Sequence, residues 1–200
     1  WGALICHMQL KSRRADYVTA HKFYSAMGIP IWQWATAGHF EGGDFNIIEP
    51  GAVAIGFCGE RSEEAGAKQV AGWVEKEGWE ALVVPIPAHF IHLDALVVMV
   101  AHKPAGACLD ALEDGVVDWM EARGLAVVEV GYKECVRNLG ANLVSLGDDR
   151  VLSMRSSGDL NDRLRAMGFR VYDPDMSMFT LGGGGVHCLS QALRRDPVAA

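Results

Sequence analysis

Apolar residues along the 200-residue chain fall into four recurring blocks, in which a helical spacing gives way, across a glycine, to a short β-rich run. The junctions read Ala26-Met27-Gly28-Ile29-Pro30-Ile31, Lys76-Glu77-Gly78-Trp79-Glu80-Ala81-Leu82-Val83-Val84, Ala122-Arg123-Gly124-Leu125-Ala126-Val127-Val128 and Ala166-Met167-Gly168-Phe169-Arg170-Val171-Tyr172. Each glycine has the place of the residue that ends a helix in a left-handed turn and feeds the next strand. The pattern predicts amphipathic helices over approximately 14–27, 62–77, 108–123 and 159–167. Val70, Trp73 and Val74 share a face of the second, and Leu109, Leu112, Val116, Trp119 and Met120 recur at helical spacing in the third. Strands are expected before the helices at Ala3–Cys6, Val53–Gly56, Ala95–Val100 and Arg150–Ser153. The unit is β-α-β with an additional short strand, and its glycines lie 50, 46 and 44 residues apart. Self-similarity at that period favours a stacked or radial architecture over a Rossmann sheet.

Composition narrows the function classes. The net charge of −7, without a lysine/arginine stripe, argues against nucleic acid as a partner. The longest apolar run, Ala95 to Ala101, has seven residues, suits a buried strand and is too short to span a membrane. No basic segment followed by an apolar one marks a secretory signal. Cysteines 6, 58, 108, 135 and 188 are odd in number and contain no Cys-x-x-Cys pair. That pattern predicts reduced thiols in a cytoplasmic enzyme. The chain opens at Trp1, mid-pattern, as a fragment or a processed form would.

The chemically active residues keep the same beat. Glu41 of Glu41-Gly42-Gly43-Asp44, His92 of His92-Leu93-Asp94, Asn142, and His187-Cys188 follow the four glycines by 13, 14, 18 and 19–20 residues. Equivalent loops of a radial repeat converge on one axis, so these residues are expected to share one site. Cys188 ends the run Gly182-Gly183-Gly184-Gly185-Val186-His187, where glycines allow positive φ or close approach and deliver a thiol to a fixed place. Glu41 stands between aromatics in His39-Phe40-Glu41-Gly42-Gly43-Asp44-Phe45, and a buried carboxylate requires a cation. His92 and Asp94, two apart on an extended segment, are expected to face the same way. Together these are a nucleophile, a general acid/base and paired carboxylates suited to a planar cation such as a guanidinium. Read singly, Asp44 and Asp94 also fit turn or cap positions. A metal site from His92, Asp94 and Cys188 lacks zinc-ligand spacing, so no metal and no cofactor are expected.

These residues resemble the guanidino-group-modifying enzymes of the pentein fold, which include arginine deiminases, dimethylarginine dimethylaminohydrolases and amidinotransferases. The matching pieces are Glu41-Gly42-Gly43-Asp44, Gly59-Glu60-Arg61-Ser62, His92-Leu93-Asp94, Asn142-Leu143 with Leu146, and Gly183-Gly184-Gly185-Val186-His187-Cys188 followed by Leu193-Arg194-Arg195-Asp196-Pro197. The resemblance implies an α/β propeller of repeated ββαβ units forming one domain over residues 1–200. The family has five units and this chain shows four. The first, with an aspartate that also binds the guanidinium, is therefore expected to be missing and the domain N-terminally incomplete.

By the same resemblance, Cys188 is the nucleophile that forms a covalent amidino-thioether and His92 protonates the leaving group and then activates water. Glu41 and Asp94 grip the guanidinium nitrogens. Arg61 and Arg13 match arginines that hold a substrate carboxylate, and Asp44 and Asn142 join them as substrate-binding positions. The implied function is a hydrolase acting on arginine or a close guanidino analogue and releasing ammonia or an amine. An acidic Asp94 favours an unmethylated guanidino group. Amidino transfer to an amine, dimethylarginine hydrolysis and a catalytically silent binding protein are the alternatives. The expected partner is a small guanidino substrate, and the small enzymes of the family are often homodimers.

Overall fold

The structure is a computed structural model that describes residues 1–195. Asp196 and Pro197 of the C-terminal motif lie outside the described residues. Its first unit comprises β1 (Ala3–Ile5), α1 (Asp16–Ala26) and β2 (Ile31–Trp34), with β1 and β2 paired in parallel. The second comprises β3 (Phe45–Glu49), β4 (Ala52–Phe57), α2 (Glu64–Lys76) and β5 (Glu80–Pro85). In this unit β4 is central, antiparallel to β3 and parallel to β5. The same topology recurs in β6 (Val97–Met99), β7 (Pro104–Ala107), α3 (Asp114–Ala122) and β8 (Ala126–Glu129). After α4 (Tyr132–Asn138) it appears a third time in β9 (Val144–Gly147), β10 (Arg150–Leu152), α5 (Gly158–Ala166) and β11 (Arg170–Tyr172), followed by α6 (Ser177–Thr180). The repeat is thus ββαβ three times and βαβ once.

The four helix-ending glycines all adopt positive φ, between 65° and 95°. At each, the following residue donates its amide to a carbonyl five residues back: Ile29 to Tyr24, Trp79 to Val74, Leu125 to Met120 and Phe169 to Leu164. This is the Schellman closure, which satisfies carbonyls that the helix end would otherwise orphan. Beside three of these turns, those of the ββαβ units, the strand that starts there ties to the neighbouring hairpin tip. Glu80 donates to Gly51, Ala126 to Lys103 and Arg170 to Asp149.

Buried side chains form two clusters among the described residues. Residues Ala52 to Gly56 of β4 are buried, and Phe40, Val53, Ile55, Val70 and Val74 form one core cluster between its sheet and α2. A larger cluster joins the second, third and fourth units through Ile48, Val84, Leu96, Val98, Ala105, Met120, Leu143, Val151 and Leu160. By contrast α1 buries no side chain and leaves Tyr17, Val18 and Phe23 exposed, so it is not the amphipathic helix the spacing predicts. The third helix is also shorter than its apolar spacing implies. Leu109–Ala111 form a separate 3-10 turn and Leu112 is extended. Likewise Leu93–Ala95 turn before β6 begins, where a strand from Ala95 is expected. Among the described residues no helix is long and apolar enough to cross a membrane.

Candidate active site

Each three-stranded unit places its chemistry at one end. Glu41 and Asp44 precede β3, His92 and Asp94 precede β6, and Asn142 precedes β9. Because β4 runs antiparallel to β3, Cys58 and Arg61 leave β4 at that same end.

Glu41 is 1% exposed and does hold a guanidinium, which belongs to Arg61. Arg61 donates Nε to Oε1 at 3.0 Å and Nη2 to Oε2 at 2.6 Å, a bidentate fork. The Gln9 amide adds a bond to Oε1 at 3.1 Å, and His92 Nε2 lies 3.0 Å from Oε2. Burial alone would raise the Glu41 pKa, but the bonds from His92, Arg61 and Gln9 outweigh it and hold the carboxyl at about 2. Glu41 is therefore ionised, and His92 Nε2 must carry the hydrogen between them. Gly43 makes room for that imidazole, since a Cβ there would stand 2.8 Å from His92 Cγ.

A second group gathers around Asn142, which is fully buried. Its Oδ1 accepts the His187 amide at 2.9 Å and the Cys188 amide at 3.4 Å. Its Nδ2 donates to the Asp94 carbonyl at 3.1 Å and the Cys188 sulfur at 3.2 Å. The amide clasps the cysteine loop to the Asp94 turn. The clasp depends on Gly185, where a Cβ would fall 2.3 Å from Asn142 Oδ1, while Gly183 has φ +85°. Asp94 Oδ2 lies 2.8 Å from His187 Nδ1 and accepts the Cys188 thiol at 3.5 Å. Its other oxygen, Oδ1, is buried without a hydrogen-bond partner. Cys188 is itself exposed, and partial desolvation of its sulfur, with the Asp94 carboxylate next to it, pushes its pKa up to about 11.

Asp44 links the two groups. It is fully buried and accepts the Leu93 amide through Oδ1 at 2.8 Å, midway between His92 and Asp94. Burial raises its pKa to about 6 against the lowering influence of His92, Ser62 and the Leu93 amide. Asp44 and Asn142 thus brace the loops around the site. Arg13 is half-exposed and pairs with Asp16 at 3.0 Å. His92 and Asp94 do not share an extended face, because Asp94 lies in the 3-10 turn that follows His92. Sequence reasoning left three contributors without roles: Ser62, whose Oγ accepts the Glu41 amide, Gln9, and His187 as the partner of Asp94. Ser62 and His187 both lie inside the motifs quoted above.

Small sheets that deliver a cysteine, two histidines and buried carboxylates to one end define the pentein class of guanidino-group-modifying proteins. Within it, residues 20–195 match the family described as "N,N dimethylarginine dimethylhydrolase, eukaryotic", and the chain belongs to that family. It is 26% identical over 195 residues to the uncharacterized protein YkgA of Bacillus subtilis (strain 168), covering 96% of this chain and 65% of YkgA. With the arginine deiminase of Rhodococcus jostii (strain RHA1) it shares 28% identity over 190 residues, covering 79% of this chain and 47% of the deiminase. The chain therefore spans about half the length of that deiminase and just under two thirds of YkgA.

Solved structures share the fold, among them these two. The N-terminal domain of ArgZ bound to substrate, an arginine dihydrolase from the ornithine-ammonia cycle in Cyanobacteria, superposes with a TM-score of 0.80 at 20% identity, covering 93% of this chain and 68% of that one. Dimethylarginine dimethylaminohydrolase from Pseudomonas aeruginosa, complexed with citrulline, gives 0.75 at 22% identity over 94% of this chain and 69% of that one.

Proposed function

We propose that the protein hydrolyses the guanidinium C–N bond of arginine or a close analogue through a covalent intermediate on Cys188. One observation supports this above the others: Asp94 bonds the thiol through Oδ2 and keeps a buried Oδ1 without a donor. A guanidinium N–H would satisfy that oxygen and bring the guanidinium carbon beside the sulfur. A thiol at about 11 is protonated at neutral pH. An arriving cation favours the thiolate, and as the ion pair forms the thiol proton passes through solvent to His92, which becomes the imidazolium.

Sulfur then bonds the guanidinium carbon, and the C–N bond to the leaving amine breaks. His92, hydrogen-bonded to Glu41, supplies the amine's proton. Water attacks the amidino-thioether, returns a proton to His92 and frees the thiol. Three of the five N–H donors of Arg61 are not used on Glu41, so its fork can still meet a substrate carboxylate. The repeated units are, on this reading, sectors of a pentein propeller, and the reduced cysteines suit the cytoplasm.

A second reading, hydrolysis of N-methylated arginine, rests on the family match over residues 20–195. Mass spectrometry after incubation with arginine, agmatine and methylated arginines separates the two by the amine released. Cys188→Ala is expected to lower turnover at least ~1000-fold while the melting temperature holds. Undiminished amine release from that variant would sink the mechanism.

A further inference from the structure

The residue before His92 has a backbone that its side chain disfavours. Ile91 sits at φ 69°, ψ −56°, and the His92 amide bonds back to the Phe90 carbonyl at 2.7 Å. This is the positive-φ γ-turn, which is rare and strained, and a β-branched residue makes it more so. Such a turn persists only when its surroundings hold it. One holder is visible: the Cys58 thiol, at the exit of β4, donates to the Ile91 carbonyl at 3.2 Å. On the other side of His92, Asp44 accepts the Leu93 amide at 2.8 Å. The two peptide groups flanking the histidine are thus each tied to the second unit, while Gly43 leaves the ring its slot and Glu41 takes its Nε2 hydrogen.

We infer that Cys58 is a positioning residue for His92: its thiol pins the strained Ile91 turn, and the turn aims the imidazole at Glu41. The inference rests on the functional reading above only in giving His92 a role in proton transfer. Cys58 also packs against the core, so loss of the side chain must be separated from loss of the hydrogen bond. Serine keeps a donor and alanine does not.

The test compares wild type, Cys58→Ser and Cys58→Ala of the full chain by nitrogen-15 NMR of the histidine ring protons and by steady-state kinetics. The slowly exchanging His92 Nε2–H signal is expected in wild type and Cys58→Ser and lost in Cys58→Ala. With it, kcat of Cys58→Ala should fall roughly tenfold with KM within about twofold, and serine should restore most of it. Ile91→Gly removes the strain, so in that background Cys58→Ala should cost less than it does alone.

An unchanged ring signal in a folded Cys58→Ala protein would overturn the proposal. So would a serine variant that behaves like alanine, because packing and not donation would then be the role. If wild type turns over none of the guanidino compounds, the functional reading fails, and the NMR comparison still decides Cys58.

Discussion

Asp44 is a carboxylate built to be partly neutral at neutral pH's acid edge. Its ordinary value of 3.8 rises to about 6 in the fold, so between those limits the native state keeps a proton that the unfolded chain has released. Its stabilising contribution is complete below about 4 and lost as pH rises through 6. Glu41 works in the opposite sense: at about 2 against 4.5, its contribution is complete above 4.5 and lost as pH falls through 2. Asp44→Asn keeps an acceptor for the Leu93 amide and removes the proton. Its stability, followed by melting from pH 4 to 7, should therefore fall less than that of wild type, by a difference on the order of 2–3 kcal/mol. Parallel curves would mean that Asp44 does not titrate in that window. The need of Glu41 for a cation was legible in its aromatic flanks. That Arg61 meets the need was not, because residues 20 apart are brought together only by the β3–β4 pairing.

At the scale of elements, the glycine junctions were the most legible feature. A Schellman turn is a local structure with a local signature, and all four form where the glycines fall. Helix starts were less legible. Leu109 and Leu112 keep helical spacing, yet Leu109 opens a 3-10 turn that packs against the core and the true helix starts at Asp114. The α1 pattern failed for a different reason, since none of its side chains is buried by the residues described. Helices α4 and α6, of seven and four residues, are too short to show a period. Gly124→Ala isolates the cost of a turn: φ is +65° and an added Cβ meets nothing within 4 Å. The expected loss is about 1 kcal/mol, or ~2–4 °C in melting temperature, with kcat unchanged. An unshifted melting curve would show that this turn is not held as the structure places it.

Across the whole molecule, every three-stranded unit has a chemical end and a closing end. Entry to β3, β6 and β9 carries the reactive residues, while the tips at Gly51, Lys103 and Asp149 lock onto the helix-ending turns. A short Gly/Ser insertion between the exposed Asp148 and Asp149 should therefore leave kcat/KM within about twofold, since lengthening a tip costs little closure entropy. The same insertion between Gly59 and Glu60, next to Arg61, should reduce it more than tenfold. Equal losses at both places would contradict the division. Convergence of repeated loops on one site was readable from spacing, whereas the partition of that site into a Glu41 group and an Asn142 group was not, because it depends on which donor reaches which oxygen. The four Schellman turns, remote from every reactive atom, have a consequence for descent. A lineage can change its choice of substrate at one end of each unit and inherit the folding instructions at the other unaltered, so the two kinds of selection act on different residues of the same fifty.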